Sequence, residues 1–315
     1  MMTFEEIAGG KGSVYDVGVQ LPKQMSNSRE AITFSKLDWS VELRKLKYTP
    51  VYHTAPHEPI HDITVPNKFA TVRVDNEGYL GVVGTGYKIK QNVEAFEFFD
   101  AVIKPHNLDY KYAGSLKNDK FIFITAVKDS VIDLGVYSKL DGYFNIINSH
   151  DGRTSLSIIF HLVHRNTNSV ISIPPSIAID RISFRHGKKL ISEAGKFICD
   201  MQVACEKIGE LLKMATKQKL ELTDIDSYLN ISMPRRNVGF VTSGDNIRNE
   251  ILRMYSNANG VMLMDLYLAS IIWTTHKRVY ITDESRMEFL IVAGKAIALN
   301  RKFLDATNKL SLTIS

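Results

Sequence analysis

The stretch that decides the fold is residues 69–100, FATVRVDNEGYLGVVGTGYKIKQNVEAFEFFD. Apolar and polar residues alternate in its first part, which is typical of a β-strand. The segment DNEG at 75–78 predicts a tight turn, because glycine adopts positive φ without a steric penalty. A second strand is predicted over 79–90, and a helix from Asn92 onward. The stretch therefore predicts a strand–turn–strand–helix unit around which the rest of the chain is arranged.

Three glycines in the returning strand, Gly81, Gly84 and Gly86, precede the predicted helix. A glycine-rich segment before a helix N-terminus is able to hold a phosphate group. However, the spacing G-x-x-G-x-G is neither the dinucleotide-binding fingerprint nor a P-loop. We therefore interpret this segment as a bulged or edge strand.

Two further hairpins are predicted downstream. One pairs residues 108–116 with 120–127, and the other pairs 142–149 with 153–165 across an Asp-Gly turn. Upstream, the alternation in WSVELRKLKY (39–48) predicts another strand, and four prolines predict a loop over 49–68.

The pattern becomes helical after residue 186. Helical spacing of apolar residues predicts helices over 187–219, 261–275 and 282–309. The predicted fold class is α+β: an antiparallel β-hairpin sheet with a packed helix, a β-β-β-α-like core, followed by a helical C-terminal half. We expect residues 1–185 to form the sheet domain and 186–315 a helical region packed on it or extending it.

Composition is that of a globular protein, with 44% hydrophobic and 23% charged residues. The formal net charge of +5 is unevenly distributed. Residues 1–150 hold 17 Lys/Arg and 18 Asp/Glu (net −1), and residues 151–315 hold 22 and 16 (net +6). A mildly basic second half favours a polyanionic partner, although a balanced, solvated surface with no nucleic acid remains the alternative.

The two cysteines, Cys199 and Cys205, lie on different faces of one predicted helix, so no disulfide is expected. No apolar run approaches the roughly 18 residues of a membrane span. These features predict a cytoplasmic protein that does not associate with membranes.

Candidate binding residues lie on the predicted sheet. On the strand ending at Arg165, Ser157 and His161 share the side opposite an apolar row. This pattern predicts a sheet with one apolar face and one polar, partly basic face. Tyrosines beside lysines suit base stacking and phosphate contact, and a plain solvated sheet face is the alternative. A basic loop follows Pro234. The residues that we assign to a nucleic-acid surface are Lys88, Lys90, Tyr110, Lys111, Tyr112, Arg153, His161, Arg165, Arg235 and Arg236.

Metal chemistry has two weak candidates. His53, His57 and His61 have four-residue spacing, but the surrounding prolines exclude the helix that would align them. His150-Asp151 is the dipeptide that metal phosphohydrolases use, yet the following Gly152 explains it as a turn. The chain contains none of the sequence motifs of zinc proteases, P-loop enzymes or serine hydrolases. We therefore expect a binding protein rather than an enzyme, without a cofactor or a metal.

Several segments together resemble the phage/plasmid-like protein family, a domain of unknown function common on bacteriophages and plasmids. The resemblance covers roughly residues 12–305. One departure concerns His161 and His164, which stand where the family often has an arginine and a cysteine, so no role of that cysteine carries over. The segments are VRVDNEGYLGVVGTGYKIKQNVEAFEFFD (72–100), YAGSL (112–116), NSHDGRTSL (148–156), the Asn-Thr pair of HRNTNS (164–169) and DLYLASIIWTTH (265–276).

A weaker resemblance concerns the order of the predicted elements, which is a hairpin, a helix and a second hairpin. It is similar to the β-β-β-α core of the RecT and Redβ single-strand annealing proteins. This resemblance implies a homo-oligomeric protein in the host cytoplasm that binds single-stranded DNA and promotes annealing or recombination. Two alternatives stay open: a phage accessory protein that binds a host protein against a defence system, and a metal-dependent hydrolase of nucleotides or nucleic acid that uses His150-Asp151 or the 53–62 cluster.

Overall fold

The structure is a computed structural model of the 315-residue chain. It describes residues 12–23, 25–50, 61–184, 190–234, 261–278, 280–292 and 294–313. The predicted α+β fold class is confirmed, because antiparallel sheets dominate the first half and helices the second.

The main sheet has seven strands and is built on a meander of four long antiparallel strands. Short strands flank the meander, and two of them pair with opposite ends of its last strand. The order is β1-β5-β6-β7-β8-β10, with β9 also paired to β8. The strands are β1 (Val19–Gln20), β5 (Asp109–Leu116), β6 (Phe121–Asp133), β7 (Lys139–Ser149), β8 (Ser157–His164), β9 (Ser169–Ile171) and β10 (Arg181–Ser183).

A second sheet has three strands: β2 (Val41–Tyr48), β3 (Ile63–Arg73) and β4 (Tyr79–Gly84). The prediction of a loop as far as residue 68 was wrong, because β3 contains Pro66. The proline is tolerated since the register slips there: Lys45 pairs with Phe69 and Lys47 with Thr64, which leaves extra residues on β3. β4 is an edge strand, as the glycine spacing predicted, but it ends at Gly84 rather than at residue 90.

The three-stranded sheet packs against the turn between β7 and β8. The buried Thr71 donates its hydroxyl to the His150 carbonyl at 2.7 Å. On the next strand, Gly81 faces the Asp151 backbone so closely that a Cβ would lie 2.7 Å from the Asp151 Cα. Arg73 adds an ion pair to Asp119 at 2.5 Å and lies over the Trp39 ring at 4.3 Å. These contacts fix the three-stranded sheet on the main sheet.

One face of the main sheet carries the larger apolar core. Helix α1 (Ser28–Phe34) and helix α2 (Asn92–Ile103) pack there, and α2 begins at Asn92 as predicted. Phe96 and Phe99, at i and i+3, are fully buried on one side of α2, while Glu94 and Glu97 are exposed. This core also includes residues from the second half of the chain.

The second half supplies the remaining helices. Its final segment is interrupted rather than forming one helix over 282–309 as predicted, since a π-helical turn (Glu288–Val292) follows a short helix at Asp283–Met287. Strands β11 (Lys219–Leu220) and β12 (Val261–Met262) pair with each other. The helices are α3 (Leu190–Ala215), α4 (Leu222–Ser232), α5 (Leu263–Ile272) with a π-helical extension (Trp273–Lys277), α6 (Asp283–Met287) and α7 (Lys295–Thr313).

No helix within the described ranges combines the length and apolar character that crossing a membrane requires.

Candidate nucleic-acid interface

The predicted polar face of the main sheet is covered. A second apolar cluster on that face joins Phe123, Ile159 and Val163 to Met287 and Leu290 of the C-terminal segment. Ser157 and His161 are each only 2% exposed beneath this cover. The prediction of an open polar face was therefore wrong, because elements distant in sequence pack on both sides of the sheet.

His161 lies in a stack of aromatic rings on the covered face. The Tyr15 ring stacks on Tyr112 and Tyr143 with centroids 5.0 and 5.1 Å apart, and its hydroxyl is hydrogen-bonded to His161 Nε2. Asn145 contacts the other ring nitrogen at 3.2 Å. Burial lowers the pKa of His161 to about 3, so this histidine is neutral at pH 7. It carries no charge with which to bind a phosphate.

A β-bulge separates the three aromatic and basic residues predicted on β5. Tyr110 pairs with Ala126 and Tyr112 with Thr125, so Lys111 is an extra residue. Tyr110 consequently faces the larger core, where its hydroxyl donates to Asp100 at 2.7 Å, and Tyr112 faces the opposite side. Both rings are buried and are not available to stack on bases in this structure.

The Lys111 ammonium stays at the margin of the aromatic stack. It donates to the Tyr143 hydroxyl at 3.0 Å and lies 5.2 Å from the centre of that ring. Arg165 is partly exposed, but its guanidinium is bound to both carboxylate oxygens of Asp141. Each of these cations therefore already has a partner within the protein.

Lys88, Lys90 and Arg153 occupy more open positions. Lys88 is exposed and Lys90 half-buried in the segment between β4 and α2, and Arg153 is exposed in the turn between β7 and β8. The Arg153 side chain makes no ion pair or hydrogen bond within the described ranges. Arg235 and Arg236 lie outside the described residues.

The basic surface that the predictions missed is the far part of the β2–β3 pair, which we call the basic ribbon (residues 45–48 and 61–68). β4 pairs only with residues 68–72 of β3, so most of the ribbon is two-stranded. Lys45, Lys47 and Lys68 are exposed there, and none of them forms an ion pair with another described residue. Tyr48 is 53% exposed and follows Lys47 on β2, so its ring lies on the opposite side of the strand from the Lys45 and Lys47 side chains.

The sequence contained a signal for this ribbon. Lys45 and Lys47 alternate on β2 and therefore lie on the same side of the strand. Their strand was predicted, but the prolines that follow concealed its partner. The lysines were consequently not recognised as part of an exposed hairpin.

Comparison with protein families finds a match over most of the chain. A domain of unknown function, DUF932, matches residues 79–280. The chain belongs to this family. None of the curated proteins and none of the solved structures matches the chain. The DUF932 region begins at β4, so the basic ribbon precedes it. The main meander lies within the region, as do Tyr112, Tyr143 and His161 of the aromatic stack, whereas Tyr15 precedes it.

Within the DUF932 region, the His150-Asp151 dipeptide has a structural role. His150 Nε2 lies 2.8 Å from the Asn92 Oδ1, and burial lowers the pKa of His150 to about 4. The Asp151 carboxylate accepts the backbone N–H groups of Arg153 and Thr154, and Gly152 has a φ of 74°. These contacts are those of a turn, as predicted, and they do not bring further metal ligands together.

Residues His53, His57 and Glu58 of the other metal candidate lie outside the described residues. No group of three or more histidine, cysteine, aspartate or glutamate side chains in the described ranges is arranged to hold a metal ion.

Proposed function

We propose that this DUF932 protein binds single-stranded DNA through its basic ribbon and promotes annealing or recombination, in the bacteriophage or plasmid setting that its sequence resemblance implies. The observation that carries the proposal is the presence of three exposed lysines without carboxylate partners among the described residues, on an exposed two-stranded ribbon. The protein acts in this proposal by binding, and no residue has a catalytic role.

The proposed contacts follow from the chemistry of the ribbon. Lys45, Lys47 and Lys68 neutralise phosphates, and each contact releases counterions from the strand. Tyr48 offers an exposed ring for base stacking, which contributes about 1–3 kcal/mol per base and tolerates any sequence. Lys88 and Arg153 remain as additional phosphate contacts on the body of the protein. Tyr110, Tyr112 and His161 are not part of this proposal, because they are buried.

The ribbon lysines differ from two other exposed cations, which are paired with carboxylates. Arg44, at the near end of the ribbon, is paired with Glu42 and Glu77, and Arg165 is paired with Asp141. Ion pairs of this kind compete with phosphate for the cation. The three ribbon lysines meet no such competition from described residues, so we assign the phosphate contacts to them.

The decisive experiment is a salt titration of binding, measured by fluorescence anisotropy of a labelled single-stranded oligonucleotide. For single strands, the slope of log K against log salt is about −0.7 per phosphate contact. The triple variant K45Q/K47Q/K68Q should therefore bind more weakly, with a slope reduced in magnitude by about 2. The matched control K104Q/K217Q/K219Q removes the same charge from exposed lysines elsewhere.

Equal slopes for the two triple variants would contradict the assignment to the ribbon. Absence of any binding to single-stranded DNA at low salt by the wild-type protein would contradict the proposed function itself. A duplex of the same length, titrated in parallel, tests the strand preference. A complementary-strand annealing assay then tests whether binding promotes pairing, and only the ribbon variant should be defective.

A further inference from the structure

A cavity of about 280 Å³ lies on the second face of the main sheet, far in sequence from the basic ribbon. It is bordered by β8, β10, the segment around Leu290 and the first turn of α7. Its polar lining consists of His161, Ser172, Asp180, Arg181 and Arg301. Two arginines and one carboxylate give this lining an excess of positive charge, since His161 is neutral.

One arginine is committed to the carboxylate. Arg301 Nη2 donates to both Asp180 oxygens, at 2.6 and 2.7 Å, and Arg301 Nε donates to the Ile173 carbonyl at 2.9 Å. Asp180 is 8% exposed, so the pair is largely shielded from water. These contacts hold the Arg301 guanidinium in place, and its positive charge neutralises the negative charge of Asp180.

The second arginine has no such partner. Arg181 donates to the Val292 carbonyl, and within the described ranges no carboxylate lies within ion-pair distance of it. Burial lowers the pKa of Arg181, and the nearby Arg301 lowers it further, against the opposing effect of Asp180. A guanidinium has five N–H donors, and a half-buried one without a counter-ion is costly. An anion in the cavity would supply the missing acceptor atoms.

Two further donors border the same space. Ser172 is 3% exposed, and its hydroxyl forms no hydrogen bond within the described part of the chain. Gly294, Ile297 and Ala298 bring the first turn of α7 to the cavity, and the first N–H groups of a helix have no acceptor within the helix. Helix N-termini of this kind favour negative charge.

A glycine allows this approach. A Cβ at Gly294 would lie 2.5 Å from the Phe289 ring and 2.8 Å from the Phe289 Cα. Any larger residue would push the π-helical turn away from the start of α7. The close contact between Gly294 and Phe289 therefore keeps Val292, and with it Arg181, near the first turn of α7.

We propose that this cavity binds a phosphate group through Arg181, with the Ser172 hydroxyl and the first turn of α7 as additional donors. The volume is at the lower limit of small-molecule sites, roughly 300–1,000 Å³. The ligand is therefore small: inorganic phosphate or a small phosphate monoester. The site is separate from the basic ribbon, so it does not depend on the proposed DNA binding.

The test is thermal denaturation of the full chain with inorganic phosphate and, separately, with a nucleoside monophosphate. Sodium chloride keeps the ionic strength equal in all samples. At ten times Kd, phosphate should raise the Tm of the wild-type protein by about 3 °C. R181Q should abolish this shift, and S172A should weaken phosphate binding several-fold. R29Q, which removes an exposed arginine of α1 outside the cavity, should retain the full shift.

If R181Q fails to fold, R181K serves as the second variant. R181K keeps the positive charge but loses the planar array of N–H donors. We expect R181K to bind phosphate at least ten-fold more weakly, as measured by equilibrium dialysis. A wild-type protein without a phosphate-dependent shift, or arginine variants with an unchanged one, would overturn the proposal. The ribbon variant K45Q/K47Q/K68Q should keep the phosphate effect, which separates this result from the test of DNA binding. A larger shift with the monophosphate than with phosphate identifies a monoester as the preferred ligand.

Discussion

Replacing Gly81 by alanine should test how the three-stranded sheet is seated on the main sheet. The added Cβ would lie 2.7 Å from the Asp151 Cα and 2.8 Å from the Asp151 carbonyl oxygen. Both are backbone atoms of a turn that is itself held by hydrogen bonds, so neither can move aside cheaply. Gly81 does not have a positive φ, so the cost comes from this contact and not from the backbone conformation.

The same strand provides a matched control. Gly84 also lies on β4, and a Cβ there would meet nothing within 4 Å. Alanine is favoured over glycine within regular structure by roughly 0.5–1 kcal/mol, and this gain is common to both variants. Overpacking at a rigid contact costs about 1–3 kcal/mol. The difference in the free energy of unfolding between G81A and G84A should therefore be about 1–3 kcal/mol.

Calorimetry or circular dichroism would measure this difference as a shift in Tm. For a chain of this length, 1 kcal/mol corresponds to roughly 2 °C, so G81A should melt about 2–6 °C below G84A. G84A should melt at or slightly above the temperature of the wild-type protein. Equal melting temperatures for the two variants would refute the close approach of β4 to the turn, and with it the seating of the three-stranded sheet on the main sheet.

Two further predictions concern the ribbon and the buried histidines. In anisotropy titrations, Y48A should lower the affinity for single-stranded DNA by about 5- to 150-fold, equivalent to 1–3 kcal/mol, without changing the salt slope. Tyr79 is equally exposed, and Y79A should leave the affinity unchanged. Burial lowers the pKa of His150 to about 4 and that of His161 to about 3. In the unfolded chain both histidines have a pKa near 6.5, so below this pH the unfolded chain binds protons that the native chain does not. The free energy of unfolding should therefore fall as the pH drops from 6.5 towards 4, by up to about 1.4 kcal/mol per pH unit for each histidine. In urea titrations, the H161Q variant should lose less stability over this range than the wild-type protein. An unchanged loss would contradict this account.

The local elements were predictable where short-range pattern decides them. The start of α2 at Asn92 and the hairpin of β5 and β6 follow from periodicity and turn residues alone. Pro66 misled because a proline within a strand is normally a sign of a loop, and only the register slip opposite Lys45–Lys47 accommodates it. Such a slip depends on the partner strand and leaves no mark on the local pattern.

The candidate site was harder to predict, because it depends on which sheet face is covered. Ile159 and Val163 share the alternation of Ser157 and His161, so the row predicted as polar is half apolar, which is a sign of a covered face. Here the polar groups are satisfied internally: His161 bonds to Tyr15, which is 146 residues away. A single-residue bulge also placed Tyr110 and Tyr112 on opposite faces, although strict alternation puts them on the same face. The elements that cover the face and the position of the bulge depend on the folded chain and cannot be derived from spacing along the sequence.

The position of β2 at the margin of its sheet has a consequence for solubility and assembly. An edge strand offers unpaired backbone groups to any other strand, and lysines along such an edge oppose pairing by mutual repulsion. Lys45 and Lys47 would thus keep free molecules apart at the ribbon. Phosphates bound to the same lysines would remove that repulsion, so we expect edge-to-edge association through β2 only after DNA has bound.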